Sequence, residues 1–343
     1  MPANPDAKLV ASVLDVKSLV ERPTRDGYGI GLVQAADENP NVVALCADLT
    51  ESTRTEAFAK KYPGRFVEMG VAEQNMASVA AGMALMGKIP YIASYAMFSP
   101  GRNWEQIRTT ICYNAVNVKI VGAHTGVSVG PDGATHQAIE DVALTRSIAN
   151  MRVFAPCDAV EAEKVTYAVS KIVGPCYVRY AREKTPVFTT EATPFAIGKA
   201  QIFWDAEGSP STSPGRSRLD VAVIACGPLV HNALLAAAAL ERDGMKLRVM
   251  NAVSIKPMDE EAIIQAARDA GGIVTVEEHQ VAGGMGSAVA EVLARNYPVP
   301  MEFIGVQNRF GESGNPAELI ERFGMGPAAI ADAVRRVIAR KRL

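Results

Sequence analysis

Strand and helix signals alternate along almost the whole chain, and that alternation limits the fold class before any motif is considered. Asn41 to Leu49, Phe66 to Met69, Pro90 to Met97, Val116 to Ala123, Met151 to Ala155 and Cys176 to Tyr180 are short, mostly apolar runs of the kind that form buried strands. Helical segments lie between them at Thr53 to Tyr62, Ala72 to Met86, Trp104 to Tyr113, Ile139 to Ile148 and Ala159 to Ile172. Helices of this length act as crossovers, so successive strands run parallel and the sheet is covered on both faces. A second, smaller unit repeats the alternation. Its strands are Leu219 to Ala225, Lys246 to Ala252, Gly272 to Glu277 and Met301 to Gly305. Its helices lie near Leu229 to Arg242, Asp259 to Asp269, Gly286 to Asn296, Pro316 to Phe323 and Ala328 to Lys341. The expected fold class is therefore α/β, with two doubly wound domains of mostly parallel sheet at residues 1–192 and 219–343. Residues 193–218 are the expected linker, because the stretch Glu-Gly-Ser-Pro-Ser-Thr-Ser-Pro-Gly-Arg-Ser offers nothing apolar to bury.

Composition serves mainly to exclude. With 343 residues, 48% of them hydrophobic, the chain can fill two cores. A formal net charge of −2 gives no basic face for nucleic acid. The longest apolar runs, such as Ala233 to Leu240, are far shorter than a membrane span, so no membrane partner is expected. The start, Met-Pro-Ala-Asn-Pro-Asp, has no basic segment followed by an apolar one, which argues against a secretory signal. Five widely spaced cysteines, Cys46, Cys112, Cys157, Cys176 and Cys226, sit in apolar contexts and read as reduced core thiols of a cytoplasmic protein.

Three segments depart from ordinary core and loop sequence. In Glu68-Met69-Gly70-Val71-Ala72-Glu73-Gln74-Asn75-Met76, a strand gives way to a helix and Glu73 falls in the first turn. An acid there is commonly a simple helix-start residue. Its neighbours Met69, Val71 and Met76 are apolar, however, and a carboxylate in such a setting needs a partner or a function. In Ser94-Tyr95-Ala96-Met97-Phe98, two aromatics lie where a predicted strand ends, the edge at which open α/β sheets bind ligands. The third segment runs from His124 to Gln137 and reads His-Thr-Gly-Val-Ser-Val-Gly-Pro-Asp-Gly-Ala-Thr-His-Gln. His124 and His136, two of the chain's four histidines, flank this Gly-rich loop with Asp132 between them, an arrangement suited to a polar ligand. The spacing does not match a helical metal pair, so no metal site is expected on this chain.

In this order, "EMGVAEQNMASVAAGMAL", "SYAMF" and "GAHTGVSVGPDGATHQAIEDVAL" resemble the pyrimidine-binding domain of transketolases, and "VAVIACGPLV" with "EEHQVAGGMGSAVAEVL" resembles their C-terminal domain. The resemblance implies thiamine diphosphate as cofactor and transfer of a two-carbon ketol unit from a ketose phosphate to an aldose acceptor. Glu73 matches the glutamate that hydrogen-bonds N1′ of the aminopyrimidine and takes part in catalysis with His136. Phe98 matches the aromatic stacked on that ring, Tyr95 lines the same pocket, and Asp48 in "ADLTES" matches an acid near the cofactor. Asp132 and His136 match groups that bind the sugar. His124, Ser52, Arg25 and Arg182 match a cluster that holds a phosphate, with Arg179 as the alternative to Arg182. Two departures stand out: Ser-Pro-Gly-Arg-Asn-Trp replaces a stretch that often carries a tyrosine, and Thr125 stands where an acid is common.

A Gly-Asp-Gly segment, which in the family holds the diphosphate through Mg2+ or Ca2+, does not occur in this sequence. The resemblance therefore implies a two-chain enzyme, this chain being the C-terminal subunit, with an N-terminal partner supplying the metal and diphosphate site in an α2β2 heterotetramer. The nearest alternative is the β subunit of a 2-oxoacid dehydrogenase E1 component, whose corresponding loop normally lacks the "DG-THQ" pattern. A non-catalytic scaffold subunit is the alternative from another class, and the joint presence of Glu73, His124, Asp132 and His136 argues against it.

Overall fold

The structure is a computed structural model that describes residues 3–206 and 219–341. Residues 207–218, the polar part of the expected linker, lie outside the described residues. In chain order the strands are β1 (Glu21–Arg22), β2 (Val42–Cys46), β3 (Phe66–Glu68), β4 (Ile89–Tyr95), β5 (Lys119–Ala123), β6 (Arg152–Phe154), β7 (Cys176–Tyr180), β8 (Thr185–Pro186), β9 (Gln201–Asp205), β10 (Val221–Ala225), β11 (Leu247–Asn251), β12 (Ser254–Lys256), β13 (Ile273–Gln280) and β14 (Met301–Val306). Two large sheets result, ordered β12-β6-β7-β5-β4-β2-β3 and β14-β13-β10-β11-β9, together with a small antiparallel ribbon of β1 and β8.

Pairing is parallel in both large sheets except at one edge of each, where β12 runs antiparallel to β6 and β9 antiparallel to β11. Every residue of β2, β5, β7 and β10 is buried, which explains why these strands read as mostly apolar runs without alternation, Lys119 and Arg179 being the buried charges among them. The expected α/β class with two mostly parallel sheets is what the chain adopts. Because β2, β3, β4, β5 and β7 run parallel, the residues that follow them (Asp48, Glu73, Phe98, His124 and Arg182) all emerge from one edge of the sheet.

The helix Thr24–Glu38 lies tightly against the helix Ala159–Ser170. A Cβ at Gly27 would stand 2.1 Å from the Ala159 carbonyl oxygen, so only glycine permits the approach. This packing places the start of the first helix, with Arg25, beside the ligand edge.

The two halves interlock more than the sequence suggests. β12 belongs to the second unit by sequence yet extends the first sheet. The N-terminal segment packs on the second unit: the Asn4 amide donates to the Phe203 carbonyl at 3.0 Å, and Val13 joins that unit's core. β9 lies inside the expected linker, where Phe203 and Trp204 supply buried surface that the polar tract after them obscured. Two expected helices are also altered. Trp104 to Tyr113 is a single α-turn, Trp104–Gln106, followed by a π-helix, Ile107–Cys112, that turns Ile107, Ile111 and Cys112 inward. The expected helix at Thr53 to Tyr62 shortens to Glu56–Lys61. The buried Thr53 hydroxyl bonds to the Leu49 carbonyl at 2.9 Å and meets the Thr55 hydroxyl at 2.8 Å, and such side-chain bonds compete with the first helical turn.

Candidate active site

Glu73 is the first residue of the helix Glu73–Leu85 and is only 2% exposed. Its carboxylate accepts a hydrogen bond from Arg102 Nη1 at 2.9 Å, which supplies the partner that a buried acid needs. Asn103, fully buried, donates to the Glu73 carbonyl at 3.1 Å and to the Ser99 hydroxyl at 3.2 Å. The loop after β4 therefore holds the start of the Glu73 helix directly. The Arg102 guanidinium also lies 4.8 Å from the centroid of the Phe98 ring, over its face. Arg102 thus joins the acid and the aromatic predicted to share one ligand. Sequence reading did not single it out, since an arginine in a loop carries no signal of its own.

Four rings converge beside this pair. Tyr95 stacks on His124 at a centroid distance of 3.8 Å, and lies 6.2 Å from Phe98 and 6.2 Å from His136; His136 meets Phe98 edge-on at 5.6 Å. His124, only 1% exposed, takes a left-handed backbone, φ 57°, as it leaves β5. Burial, followed by the charges of Arg25 and Arg182, pushes its pKa down to about 3, so the ring is neutral near pH 7. Arg25 Nη1 lies 3.3 Å from His124 Nε2. A guanidinium can only donate, so Nε2 accepts and the proton sits on Nδ1. That Nδ1–H is buried and has no protein partner, and neither does Arg25 Nε. The pair therefore presents two unused donors, as a site for oxygen-rich or anionic ligands requires.

Of the expected phosphate cluster, Arg25, Ser52 and His124 are in contact, although Ser52 contributes its backbone carbonyl, which accepts from Arg25 Nη1 at 2.7 Å. Arg182 acts on both Arg25 and His124 through its charge, and donates to the Val129 carbonyl at 2.8 Å within the Gly-rich loop. Arg54, which sequence reading passed over, adds a third positive charge there and pairs with Asp26 at 2.8 Å. Arg179, the alternative to Arg182, is engaged in a buried ion pair. It is 5% exposed, doubly bonded to Asp141 at 3.0 and 3.1 Å, and bonded to the Glu278 carbonyl at 3.1 Å. Asp48 lies exposed in a left-handed conformation, φ 58°, and its loop is tied to Glu68, whose carboxylate accepts from the Asp48 amide at 2.7 Å, the Thr50 hydroxyl at 2.8 Å and the Gly70 amide at 3.0 Å. Glu68 thereby sets the Asp48 loop against the loop leading to Glu73.

The Gly-rich loop is largely a 3-10 helix, Val127–Asp132, that leaves Asp132 exposed at its end. It is held from both halves of the chain. The Ser128 amide donates to Glu278 Oε1 at 2.6 Å, and Gln137 Nε2 donates to the carbonyls of Val127 at 2.9 Å and Glu312 at 2.8 Å. Gly126, φ 84°, sits so close to Glu278 that a Cβ would come within 2.2 Å of its carboxylate. His136 meets the Thr135 hydroxyl at 2.9 Å through Nδ1.

These residues fit an aminopyrimidine. A flat, nitrogen-bearing group already lies on Phe98 while hydrogen-bonded to Glu73, so the niche accepts a planar group of that kind. Among the described residues, no group of three or more His, Cys, Asp and Glu side chains is arranged to hold a metal ion, and no helix is long and apolar enough to cross a membrane.

Comparison with known proteins places the chain. Residues 21–187 match the transketolase pyrimidine-binding domain and residues 214–330 the transketolase C-terminal domain. A putative transketolase C-terminal section of Methanocaldococcus jannaschii is 41% identical over 92% of this chain and 96% of its own length. The 6-deoxy-6-sulfo-D-fructose transketolase subunit SqwH of a Clostridium strain is 38% identical over 94% of this chain and 97% of its own length. Human transketolase is 34% identical over 92% of this chain but 49% of its own length. A solved split-gene transketolase, described as an inactive β4 tetramer, superposes with a TM-score of 0.84 at 42% identity, covering 93% of this chain and 99% of its own. The chain belongs to the transketolase family, and within it resembles the C-terminal sections and subunits of split-gene members.

Proposed function

We infer that this chain is the C-terminal subunit of a two-chain, thiamine-diphosphate-dependent transketolase that moves a two-carbon ketol unit from a ketose phosphate to an aldose or aldose phosphate. The observation that carries the reading is the convergence of Glu73, Phe98 and Tyr95 with the His124–Arg25 pair at one sheet edge. When bound, thiamine diphosphate supplies the electron sink that lets a ketose carbon–carbon bond break. Glu73 holds the aminopyrimidine by a carboxylate contact at N1′, and Phe98 and Tyr95 wall its faces. His136, on the loop above the rings, hydrogen-bonds the sugar's oxygens and moves a proton there, with Asp132 beside it on the same loop. The neutral His124 donates through Nδ1, while Arg25 and Arg182 supply positive charge for the acceptor's phosphate.

The diphosphate and its Mg2+ or Ca2+ are assigned to an N-terminal partner subunit in an α2β2 assembly, a reading supported by relatives of matching extent that are named as a transketolase C-terminal section and a transketolase subunit. The relative described as an inactive β4 tetramer supports dependence on a partner. Five free, buried cysteines suit a reducing cytoplasm. Other relatives are named for 6-deoxy-6-sulfo-D-fructose and for apulose-4-phosphate, so the assay needs a panel of sugars. Isothermal titration with thiamine diphosphate and Mg2+, and two-carbon transfer from ketose phosphates, are measured on the chain alone and again with the partner encoded by the neighbouring gene. Tight binding and turnover are expected only for the pair. Micromolar cofactor affinity with sugar turnover by the lone chain would refute the division of labour.

A further inference from the structure

Arg102 makes two contacts at once that a bound aminopyrimidine ring would make. Its planar guanidinium lies over the Phe98 face at 4.8 Å, and Nη1 donates to Glu73 Oε2 at 2.9 Å. A ring stacked on that face and hydrogen-bonded through N1′ to that carboxyl group would claim the same volume. The side chain is free to yield it: Arg102 is 48% exposed, whereas Glu73 is 2% exposed. Its backbone, by contrast, is held, because the next residue, Asn103, is buried and bonded to the Glu73 carbonyl. A fixed base with a half-exposed side chain can move between two positions without moving the helix that carries Glu73.

We propose that Arg102 is a placeholder for the aminopyrimidine. In the cofactor-free chain it covers Phe98 and satisfies the buried Glu73 carboxylate, and the cofactor enters by displacing it toward solvent. The role is conformational and needs no bond chemistry. It follows from the energetics of buried acids: Glu73 is 2% exposed, and without Arg102 its carboxyl group would be left buried without a side-chain partner. Arg102 keeps the carboxyl group paired and oriented until the ring arrives. The cofactor's affinity then includes a small term for breaking an ion pair that is half open to water, which is of modest strength and sensitive to salt.

This inference rests on the reading of Glu73 and Phe98 as the pyrimidine site, and the test separates the two. Thiamine diphosphate with Mg2+ is titrated calorimetrically into the assembled two-chain complex carrying wild-type chain, Arg102→Ala, Glu73→Gln or both. Removal of the competing side chain should tighten cofactor binding about two- to fivefold. The gain should narrow in about 1 M salt, where the competing pair is screened, and should vanish in the Glu73→Gln background, where Arg102 has no carboxylate to hold. Arg102→Gln, which shortens and neutralises the side chain but keeps a polar end, serves if the alanine variant assembles poorly. If Arg102→Ala or Arg102→Gln leaves the affinity unchanged or weakens it while Glu73→Gln still damages binding, Arg102 is no placeholder and the pyrimidine site stands. If Glu73→Gln has no effect on cofactor affinity, the site reading falls and this inference falls with it.

Discussion

Acidification probes the ligand edge through His124, whose ring is walled in by Tyr95 and faces Arg25, Arg182, His136 and Arg54. Burial and those neighbours bring its pKa from 6.5 to about 3. The unfolded chain takes up the proton first, so the stability that His124 contributes is complete above about pH 6.5 and is lost as the pH falls toward 3. Within that window the loss is about 1.4 kcal/mol per pH unit, or about 2 kcal/mol between pH 6.5 and 5.0. The comparison variant is His124→Asn, because asparagine tolerates the φ of 57° at this position. Denaturant unfolding of the full chain at pH 7.5 and 5.0 should show wild type losing about 2 kcal/mol more than the variant. In parallel, the carbon-attached proton of the His124 ring, identified by its absence from the variant's spectrum, should hold a constant chemical shift from pH 8 to 5. A midpoint near 6.5, with equal acid sensitivity of the two proteins, would mean that water or counter-ions reach the ring. The Nδ1–H donor assigned to His124 would then be wrong as well.

The other expectations are more direct. Glu73→Ala should slow deuterium exchange at the cofactor's C2 in the assembled enzyme by ~10²–10⁴-fold, the usual loss for an acid–base contact, with circular dichroism unchanged. His136→Ala and Asp132→Ala should lower sugar turnover while leaving the cofactor's dissociation constant near the wild-type value; equal damage to both would overturn the separation of ring site and sugar loop. Arg182→Met should raise KM for a phosphorylated acceptor about ten- to a hundredfold and barely affect a free sugar, as expected when a charge-assisted hydrogen bond worth about 1.5–3 kcal/mol is lost. Asp141→Asn should destabilise the chain by about 3–5 kcal/mol, seen as a lower denaturant midpoint, because it strands the buried Arg179 charge.

What could be read from the sequence follows a physical division. Strands buried on both faces are mostly apolar runs, and β2, β5, β7 and β10 were legible for that reason. β12 and β9 were not. Each is an edge strand whose partner lies far away in the chain, so its pairing depends on where the rest of the sheet stops rather than on its own composition. The π-helix was equally hidden, because a one-residue change of helical register leaves the apolar spacing of Ile107, Ile111 and Cys112 compatible with an ordinary helix. The rings and acids that the structure brings to one sheet edge were singled out from motifs at strand ends together with the family resemblance. Arg102 was missed because it is ordinary until Glu73 and Phe98 stand beside it.

The Gly-rich loop extends that division to function. Its own residues announce a polar ligand, but its shape is imposed from the second unit: Glu278 receives the Ser128 amide from 150 positions away, and the Glu312 carbonyl receives Gln137 from 175 positions away. Burial pushes the Glu278 carboxyl up, so this is a costly group to keep inside, and only a close donor such as the Ser128 amide at 2.6 Å offsets that cost. Gly126 leaves room for the contact, and Ser313 and Pro316 crowd Gly133 and Gly130 from the same side. The loop bearing Asp132 and His136 is therefore pressed between two domains. On the proposed function, a change at Glu278 is expected to alter sugar binding without touching the sugar, whereas the Glu73–Phe98 niche, built wholly from the first unit, is expected to be spared. The second domain acts as the wall that gives the Gly-rich loop its conformation.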